Sequence, residues 1–373
     1  MGGGALLFCA AIAFAFALLT TPLVQRLALI VGAVDHPDHR RIHARPVPTL
    51  GGIAVAVSLL AALLGFDWIS GGAVDALLTQ YGWRLRYFFL GGVIIVAGGA
   101  ADDIYGLSPA AKLLIQIVAA TLAALGGYGV DAITNPLTGG QISLGALGTL
   151  FTITWIVAVT NAFNLIDGLD GLAAGVAFIA AISIILIAQV ETRPDAALLA
   201  AAFAGALLGF LRYNFHPASI FLGDSGSQLL GYTLSLLSIQ GLQKGATTVV
   251  IIVPILALGL PLLDTAVAIL RRSVVAGFAT IFRADREHIH HRLVAMGMTQ
   301  RRAVLVLYAV CLAFGAVAFL SVIARGPFKA VLLAGAVVAI IVGVRALGYR
   351  PNAETPTKTA DSSLDEAAKL PRS

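Results

Sequence analysis

An all-α, polytopic membrane bundle of about eleven spans is the fold class this sequence predicts, and three observations carry it. Hydrophobic residues make up 59% of the chain and charged ones only 12%, with a mean hydropathy of +0.93, far from the balance of a soluble domain. Apolar runs close to the ~20 residues needed to cross a bilayer recur along most of the chain. The acidic and His-rich segments that remain sit between those runs, where ionisable groups near a bilayer are functional candidates by default.

The opening run, MGGGALLFCAAIAFAFALL, continues to about Ile30 with no basic leader, so 5–30 reads as a retained first span rather than a cleaved signal. Further spans are expected over 50–66, 86–101, 109–129, 147–162, 171–190, 197–213, 225–241, 247–270, 303–324 and 328–347. The run at 50–66 is short and rich in small residues. Together, residues 1–347 form one transmembrane domain. The tail at 348–373 is polar and Pro-containing and is expected to be disordered. Cys9 and Cys311 both lie in apolar runs, which points away from a disulfide, a CxxC metal site or a thiol nucleophile. No repeat of solenoid length and no inverted-half symmetry is visible.

Orientation follows from Lys and Arg. The loop at 31–49 carries Arg40, Arg41 and Arg45, and the loop at 271–302 carries seven arginines, so both are expected inside. Loops at 67–85, 130–146, 191–196 and 242–246 are poorer in cations and are expected outside, with Trp68 and Trp83 as interfacial aromatics. Counting from the first basic loop puts 102–108, 163–170, 214–224 and 271–302 on the cytoplasmic face. It leaves the N-terminus outside and the tail inside. The net charge of +5 is then a property of cytoplasmic loops, and no nucleic acid partner is implied.

Five polar clusters fall on that face. Asp102 and Asp103 repel each other unless a cation or a shared proton intervenes; Lys112 is near enough in sequence to compensate, and a solvated helix end is the alternative. Asn161, Asn164, Asp167 and Asp170 recur at spacing three, which on a helix makes one polar stripe. Gly168 and Gly171 suggest that the helix opens there. Amide and carboxylate oxygens together suit Mg²⁺, uracil or a sugar. In GDSGS, Asp224 is read as a metal ligand at a helix start, with Ser225 and backbone amides toward phosphate; a serine nucleophile would need a histidine base. In REHIHHRL, His288, His290, His291 and Arg292 are read as donors to phosphate and sugar oxygens; zinc is disfavoured because the HExxH layout is missing. The loop DHPDHRRIH adds phosphate donors, Arg41 and His43 among them, against the alternative of a purely topogenic basic loop. Asp264, inside the ninth span, either reaches the site or bonds a neighbouring helix.

In this order, DHPDHRRIHxRPVPTLGG, DDIYGL, NAFNLIDGLDGLAAG, FLGDSGSQLLG and HIHHRL resemble the polyprenyl-phosphate N-acetylhexosamine-1-phosphate transferase family over roughly residues 30–325. HIHHRL is similar to the branch that initiates O-antigen, enterobacterial common antigen and teichoic acid linkage synthesis. The sibling phospho-N-acetylmuramoyl-pentapeptide transferase is the alternative specificity. The resemblance implies transfer of a HexNAc-1-phosphate, GlcNAc first among the options, from a UDP-sugar to undecaprenyl phosphate. It implies release of UMP, a requirement for Mg²⁺ (with Mn²⁺ as a substitute), and a bacterial inner membrane with the site facing the cytoplasm. It allows a homodimer.

By matched positions the resemblance implies Asp224 and Asn164 on the metal. Asn161, Asp167 and Asp170 would line the nucleotide and metal pocket, and Phe221 would lie against uracil. The His288–Arg292 segment would contact the donor phosphates, and Asp102 and Asp103, with Lys112, would sit at the acceptor phosphate. A phosphate monoester has a second pKa of about 6 and needs little help to attack at neutral pH. Asp102 and Asp103 are therefore expected to position and to shape the metal's field, with a base role for Asp102 left open. Two other classes are weighed: a secondary transporter, which would hold its carboxylates at the midplane between repeats, and an intramembrane serine protease acting through Ser225.

Overall fold

A computed structural model of the chain describes residues 2–36, 46–130, 132–134, 141–240, 255, 258–266, 288–324 and 327–346. In chain order its helices are α1 (Gly3–Val31), α2 (Gly51–Ser70), α3 (Ala73–Tyr105), α4 (Pro109–Leu125), α5 (Ala146–Ile166), α6 (Leu172–Val190), α7 (Pro194–Asn214), α8 (Gly223–Gln240), α9 (Ile289–Ala295), α10 (Gln300–Ile323) and α11 (Pro327–Ala346). Seven helical segments among the described residues are long and apolar enough to cross a bilayer, and the protein is a polytopic helical membrane protein. Each expected span except 247–270 coincides with one of these helices. That one is described only at 255 and 258–266, where 259–266 are helical. The tail beyond 346 lies outside the described residues.

Two short ribbons were not expected. Val34–Asp35 pairs antiparallel with Val47–Pro48, and Ala132–Thr134 with Gln141–Ser143. Two or three residues per strand are too few for an alternating pattern to register.

Local chemistry places the helix ends that matter. Gly106 takes a left-handed conformation and its N–H bonds Asp102 O, so α3 stops one turn after Asp102 and Asp103. Ser108 then caps α4, accepting the Ala111 amide at 3.3 Å with Pro109 in the first turn. Lys112 is thereby returned toward α3.

Helix α8 is the axis of the bundle. Every residue from Ser225 to Gln240 is buried, between α2, α3, α5, α6 and α7. Without a hydrophobic drive between helices in lipid, close approach rests on small residues. A Cβ on Gly231 would meet the α5 backbone at Thr160, and one on Gly99 of α3 would collide with the backbone of Ser225. On the far side, Gly205 and Gly209 of α7 let α1 approach at Ala10 and Ala17. Ser235 and Ser238 of α8 donate to carbonyls one turn back, each at 2.7 Å, whereas the Tyr232 hydroxyl donates across to Phe88 O of α3 at 3.2 Å.

The glycines of TLGG have a similar task. Gly51 N donates to Phe221 O at 3.0 Å and Gly52 N to Leu222 O at 3.1 Å, while Phe221 N donates to Pro48 O at 2.8 Å. A Cβ on Gly52 would collide with the backbone of Ser225 and Gly226. The segment entering α2 is thus stitched to the segment entering α8.

Candidate active site

Residues of all five sequence clusters meet at one end of the bundle around a single cavity of about 910 Å³, within the usual size of a small-molecule site. Asp35, Asp102, Asp103, Asp167, Asp170 and Asp224 line it, with Asn164, Asn214, His216, Phe221 and His291. They come from the ends of α3, α5, α7 and α8, from the first ribbon and from the start of α9. Arg41 and His43 lie outside the described residues.

Asp224 is the best-connected carboxylate. Lys112 Nζ stands 2.6 Å from its Oδ2 and 2.5 Å from Asp102 Oδ2, so one cation bridges α3, α4 and α8. Asn164 Nδ2 donates to Asp224 Oδ1 at 3.0 Å and to Ser227 Oγ at 2.9 Å. Both amide hydrogens are therefore committed, and the carbonyl oxygen is the group Asn164 offers a ligand.

The adjacent aspartates do different things. Asp102 Oδ1 accepts the Leu107 amide at 2.6 Å while its Oδ2 holds Lys112. Asp103 accepts the backbone amides of Asp224 (Oδ1, 2.7 Å) and Ser225 (Oδ2, 3.2 Å). It caps the first turn of α8 from another helix, satisfying donors that α8 cannot satisfy itself. Gly223, left-handed at φ +68°, lies so close to Asp103 that a Cβ would strike its carboxylate. The dyad is one cation-binding and one backbone-holding residue.

The expected stripe from Asn161 to Asp170 is broken. Helix α5 ends at Ile166, and Gly171 turns left-handed into α6, so Asp167 and Asp170 reach the cavity from a turn. Asn161 is not on the cavity wall. Its Nδ2 donates to Gln116 Oε1 at 2.6 Å; Gln116 Nε2 donates to Gln228 Oε1 at 3.2 Å, and Gln228 Nε2 to Asp224 Oδ2 at 3.2 Å. This amide relay runs from Asp224 into the bundle through two glutamines that are each 2% exposed. Placing Asn161 on the substrate wall is corrected accordingly: it supports Asp224 from behind.

Ser225 is also corrected. Its side chain is fully buried and its Oγ donates to Leu222 O at 3.3 Å. A nucleophile so placed cannot meet a peptide, which removes the ground for the protease reading.

The histidines divide. His291 lines the cavity, whereas His288 and His290 are buried behind it. His288 is the N-cap residue of α9 rather than part of the helix, so it does not share a helical face with His291 or Arg292. Burial pushes the His290 imidazole down to about 3, with His291 adding to the effect. It is neutral at physiological pH and brings no positive charge to a phosphate. Asp264 bonds His288 Nδ1 at 2.9 Å, which decides between its two readings: it serves a neighbouring segment and does not line the cavity.

Asp167 moves the other way. Burial foremost, then the charges of Asp224, Asp103 and Asp170, raise its carboxyl to about 8. Without a cation in the cavity this acid holds its proton at neutral pH.

Two lining residues, Asn214 and His216, lie outside the five sequence clusters. His216 Nδ1 lies 2.8 Å from Asp170 Oδ2, which also accepts the Ala218 amide at 3.0 Å. Arg301 holds the same turn by donating to His216 O at 3.0 and 3.2 Å. Asn214, 3% exposed, donates to Ile220 O, and its Oδ1 has no partner among the described residues although it lines the cavity. The spacing of YNFHPASIF to GDSG could have flagged both as members of the Phe221 segment.

Residues 85–242 match the family described as Glycosyl transferase family 4. The chain is 39% identical over 303 residues, 80% of its length and 81% of the relative's, to a Bacillus subtilis (strain 168) protein named "Probable undecaprenyl-phosphate N-acetylglucosaminyl 1-phosphate transferase". It is 36% identical over 350 residues, 87% of its length and 83% of the relative's, to the decaprenyl-phosphate N-acetylglucosaminephosphotransferase of Mycolicibacterium smegmatis (strain ATCC 700084 / mc(2)155). It is 34% identical over 320 residues, 82% of its length and 84% of the relative's, to the undecaprenyl-phosphate alpha-N-acetylglucosaminyl 1-phosphate transferase of Haemophilus influenzae (strain ATCC 51907 / DSM 11121 / KW20 / Rd).

Proposed function

The chain belongs to glycosyl transferase family 4, and on that premise we propose that it transfers GlcNAc-1-phosphate from UDP-GlcNAc to undecaprenyl phosphate at the cytoplasmic face of a bacterial inner membrane. The relatives' names supply the acceptor class and the sugar. The observation that carries the mechanism is the pairing of Asp224 with Asn164 in a cavity lined by six aspartates.

A polyanionic donor and a phosphate acceptor cannot share that cavity without cationic screening. The cation paired with this acidic cluster, Lys112, is already divided between Asp102 and Asp224. A divalent ion fits the donor set. Asp224 offers a carboxylate, Asn164 a carbonyl oxygen, and Mg²⁺ is commonly held by one or two protein oxygens with the rest from phosphates and water. Bound there, Mg²⁺ would neutralise charge on the diphosphate.

The chain's own residues align the reaction. Lys112 and Asp102 set the charge beside the acceptor phosphate. Asp103 fixes Asp224 through the α8 backbone, and Phe221 offers an aromatic face suited to uracil. An acceptor phosphate oxygen bonds the sugar-side phosphorus of the donor, the P–O bond to the bridging oxygen breaks, and UMP leaves with that oxygen. Catalysis of this kind is positioning and electrostatics more than covalent chemistry.

The test uses purified protein, undecaprenyl phosphate and Mg²⁺, with UDP-GlcNAc and UDP-MurNAc-pentapeptide assayed separately for UMP release. Release with UDP-GlcNAc, abolished by Asp224→Ala and by chelation of Mg²⁺, is the expected result. Release with the pentapeptide donor alone would overturn the sugar assignment.

A further inference from the structure

Asp264 is a buried carboxylate that the reaction just described leaves without a task. It is 2% exposed, in the helical stretch 259–266. That stretch is seated on α10, since a Cβ on Gly259 would press into the Phe314 ring. Both Asp264 oxygens are used on two successive residues: Oδ2 on His288 Nδ1 at 2.9 Å and Oδ1 on the Ile289 amide at 2.8 Å.

Those two residues begin α9, a helix of seven residues. A helix this short does not hold itself together in isolation and depends on tertiary ties. Its N-cap, His288, makes no side-chain cap of its own, so Asp264 provides the cap from another segment. From there a pile of rings leads to the cavity. His288 stacks on His290 with centroids 5.8 Å apart and planes 5° from parallel, and His290 lies 4.3 Å from His291. His290 also rests against Gly168, where a Cβ would collide with its ring. Gly168 lies in the turn between Asp167 and Asp170.

We propose that Asp264 is a positioning residue for donor binding: by anchoring His288 and the start of α9 it sets where His291 enters the cavity and how the Asp167–Asp170 turn is backed. The donor it serves rests on the transferase reading; the anchoring does not. His288 is then a latch, and His291 the member of the segment that meets substrate.

The experiment uses the full chain in nanodiscs. Asp264→Asn is expected to raise KM for UDP-GlcNAc by about tenfold while KM for undecaprenyl phosphate stays within about twofold. Because it acts through His291, the Asp264→Asn/His291→Ala double variant is expected to be no weaker than His291→Ala alone. His288→Asn gives a second route: asparagine is a favoured N-cap that can hold α9 together, yet it breaks the ring stack and should show the same donor-selective shift. Hydrogen exchange at the amides of residues 289–295 is expected to quicken in Asp264→Asn with no substrate present. A donor KM unchanged in both variants, additive losses in the double variant, or unchanged exchange would overturn the proposal. Wild-type protein that fails to use UDP-GlcNAc refutes the donor reading instead, and the exchange result still decides the anchoring.

Discussion

Asp103→Ala separates a backbone-holding aspartate from a chemical one. In the structure its two oxygens accept the amides of Asp224 and Ser225 at 2.7 and 3.2 Å. Hydrogen bonds to charged groups contribute roughly 1.5–3 kcal/mol each, so removing both costs about 3–6 kcal/mol before water refills the gap. Asp103→Asn keeps one acceptor and turns an amide N–H₂ toward the other donor, so about half of that loss is expected. The functional consequence follows from the register of α8: a first turn released by ~1 Å carries Asp224 out of line and lowers turnover about 100-fold. The assays are thermal unfolding in nanodiscs and UMP release across a Mg²⁺ titration. Loss of stability, loss of turnover and a higher half-saturating Mg²⁺ are expected together, graded Ala worse than Asn. An Asp103→Asn protein of wild-type stability and Mg²⁺ dependence with no turnover would refute the reasoning and return Asp103 to the chemistry.

Other outcomes test neighbouring claims. Gly52→Ala places a methyl between two backbones that cannot both yield; about 1–3 kcal/mol of overpacking strain should appear in thermal unfolding, and unaltered stability would count against the stitched entry to α8. Lys112→Met leaves Asp102 and Asp224 facing each other with no cation between them; turnover should fall at least about tenfold, and equal turnover would remove Lys112 from the site. Burial holds the Asp167 carboxyl up at about 8, against the usual aspartate value of 3.8. Its contribution to stability is full below the unfolded value and is lost as pH rises toward 8. Metal-free wild type should therefore lose melting temperature over that window, and Asp167→Asn should melt at least about 3 °C higher than wild type at the alkaline end. Parallel melting curves with pH for the two proteins would contradict it. Asp102→Asn tests the open base role: turnover restored at higher pH supports a base, and equal loss at low and high pH supports positioning.

Much of the fold was legible because each span is apolar over a bilayer's length, and lipid exposure leaves no other option for the backbone. Pattern alone placed α2 correctly despite its small residues, since glycine and alanine at a helix interface are a packing solution and not a breaker. The site was legible to the extent that charge is costly there: Asp102, Asp103, Asp167, Asp170 and Asp224 stand out in a chain this apolar, and all five line the cavity. What pattern could not resolve is direction. Asp102 and Asp103 are neighbours in sequence, but one looks toward Lys112 and the other into the α8 backbone. His290 and His291 likewise face opposite tasks, which helical spacing from His288 could not reveal because the helix begins one residue later.

The residues that escaped notice share a physical reason. Gln116 and Gln228 carry no charge, sit mid-helix and, met singly in a span, read as glue between helices. Only their juxtaposition makes the line Asn161–Gln116–Gln228–Asp224. With Lys112 and Asn164 it surrounds Asp224 by donors from α4, α5 and α8, while Asp103 of α3 holds its backbone. The carboxylate proposed to hold the divalent ion is thus the one least able to turn. A flexible aspartate would spend part of each binding event on being ordered, and the relay removes that cost in advance. Gln228→Leu, nearly equal in volume, tests the argument: its amide cannot be replaced by water in a buried seam, so half-saturating Mg²⁺ should rise about fivefold or more, and the buried Gln116 amide, left without its acceptor, should lower the melting temperature as well. If stability falls and Mg²⁺ dependence does not change, the glutamines are glue after all, and Asp224 is held by Lys112 and Asn164 without them.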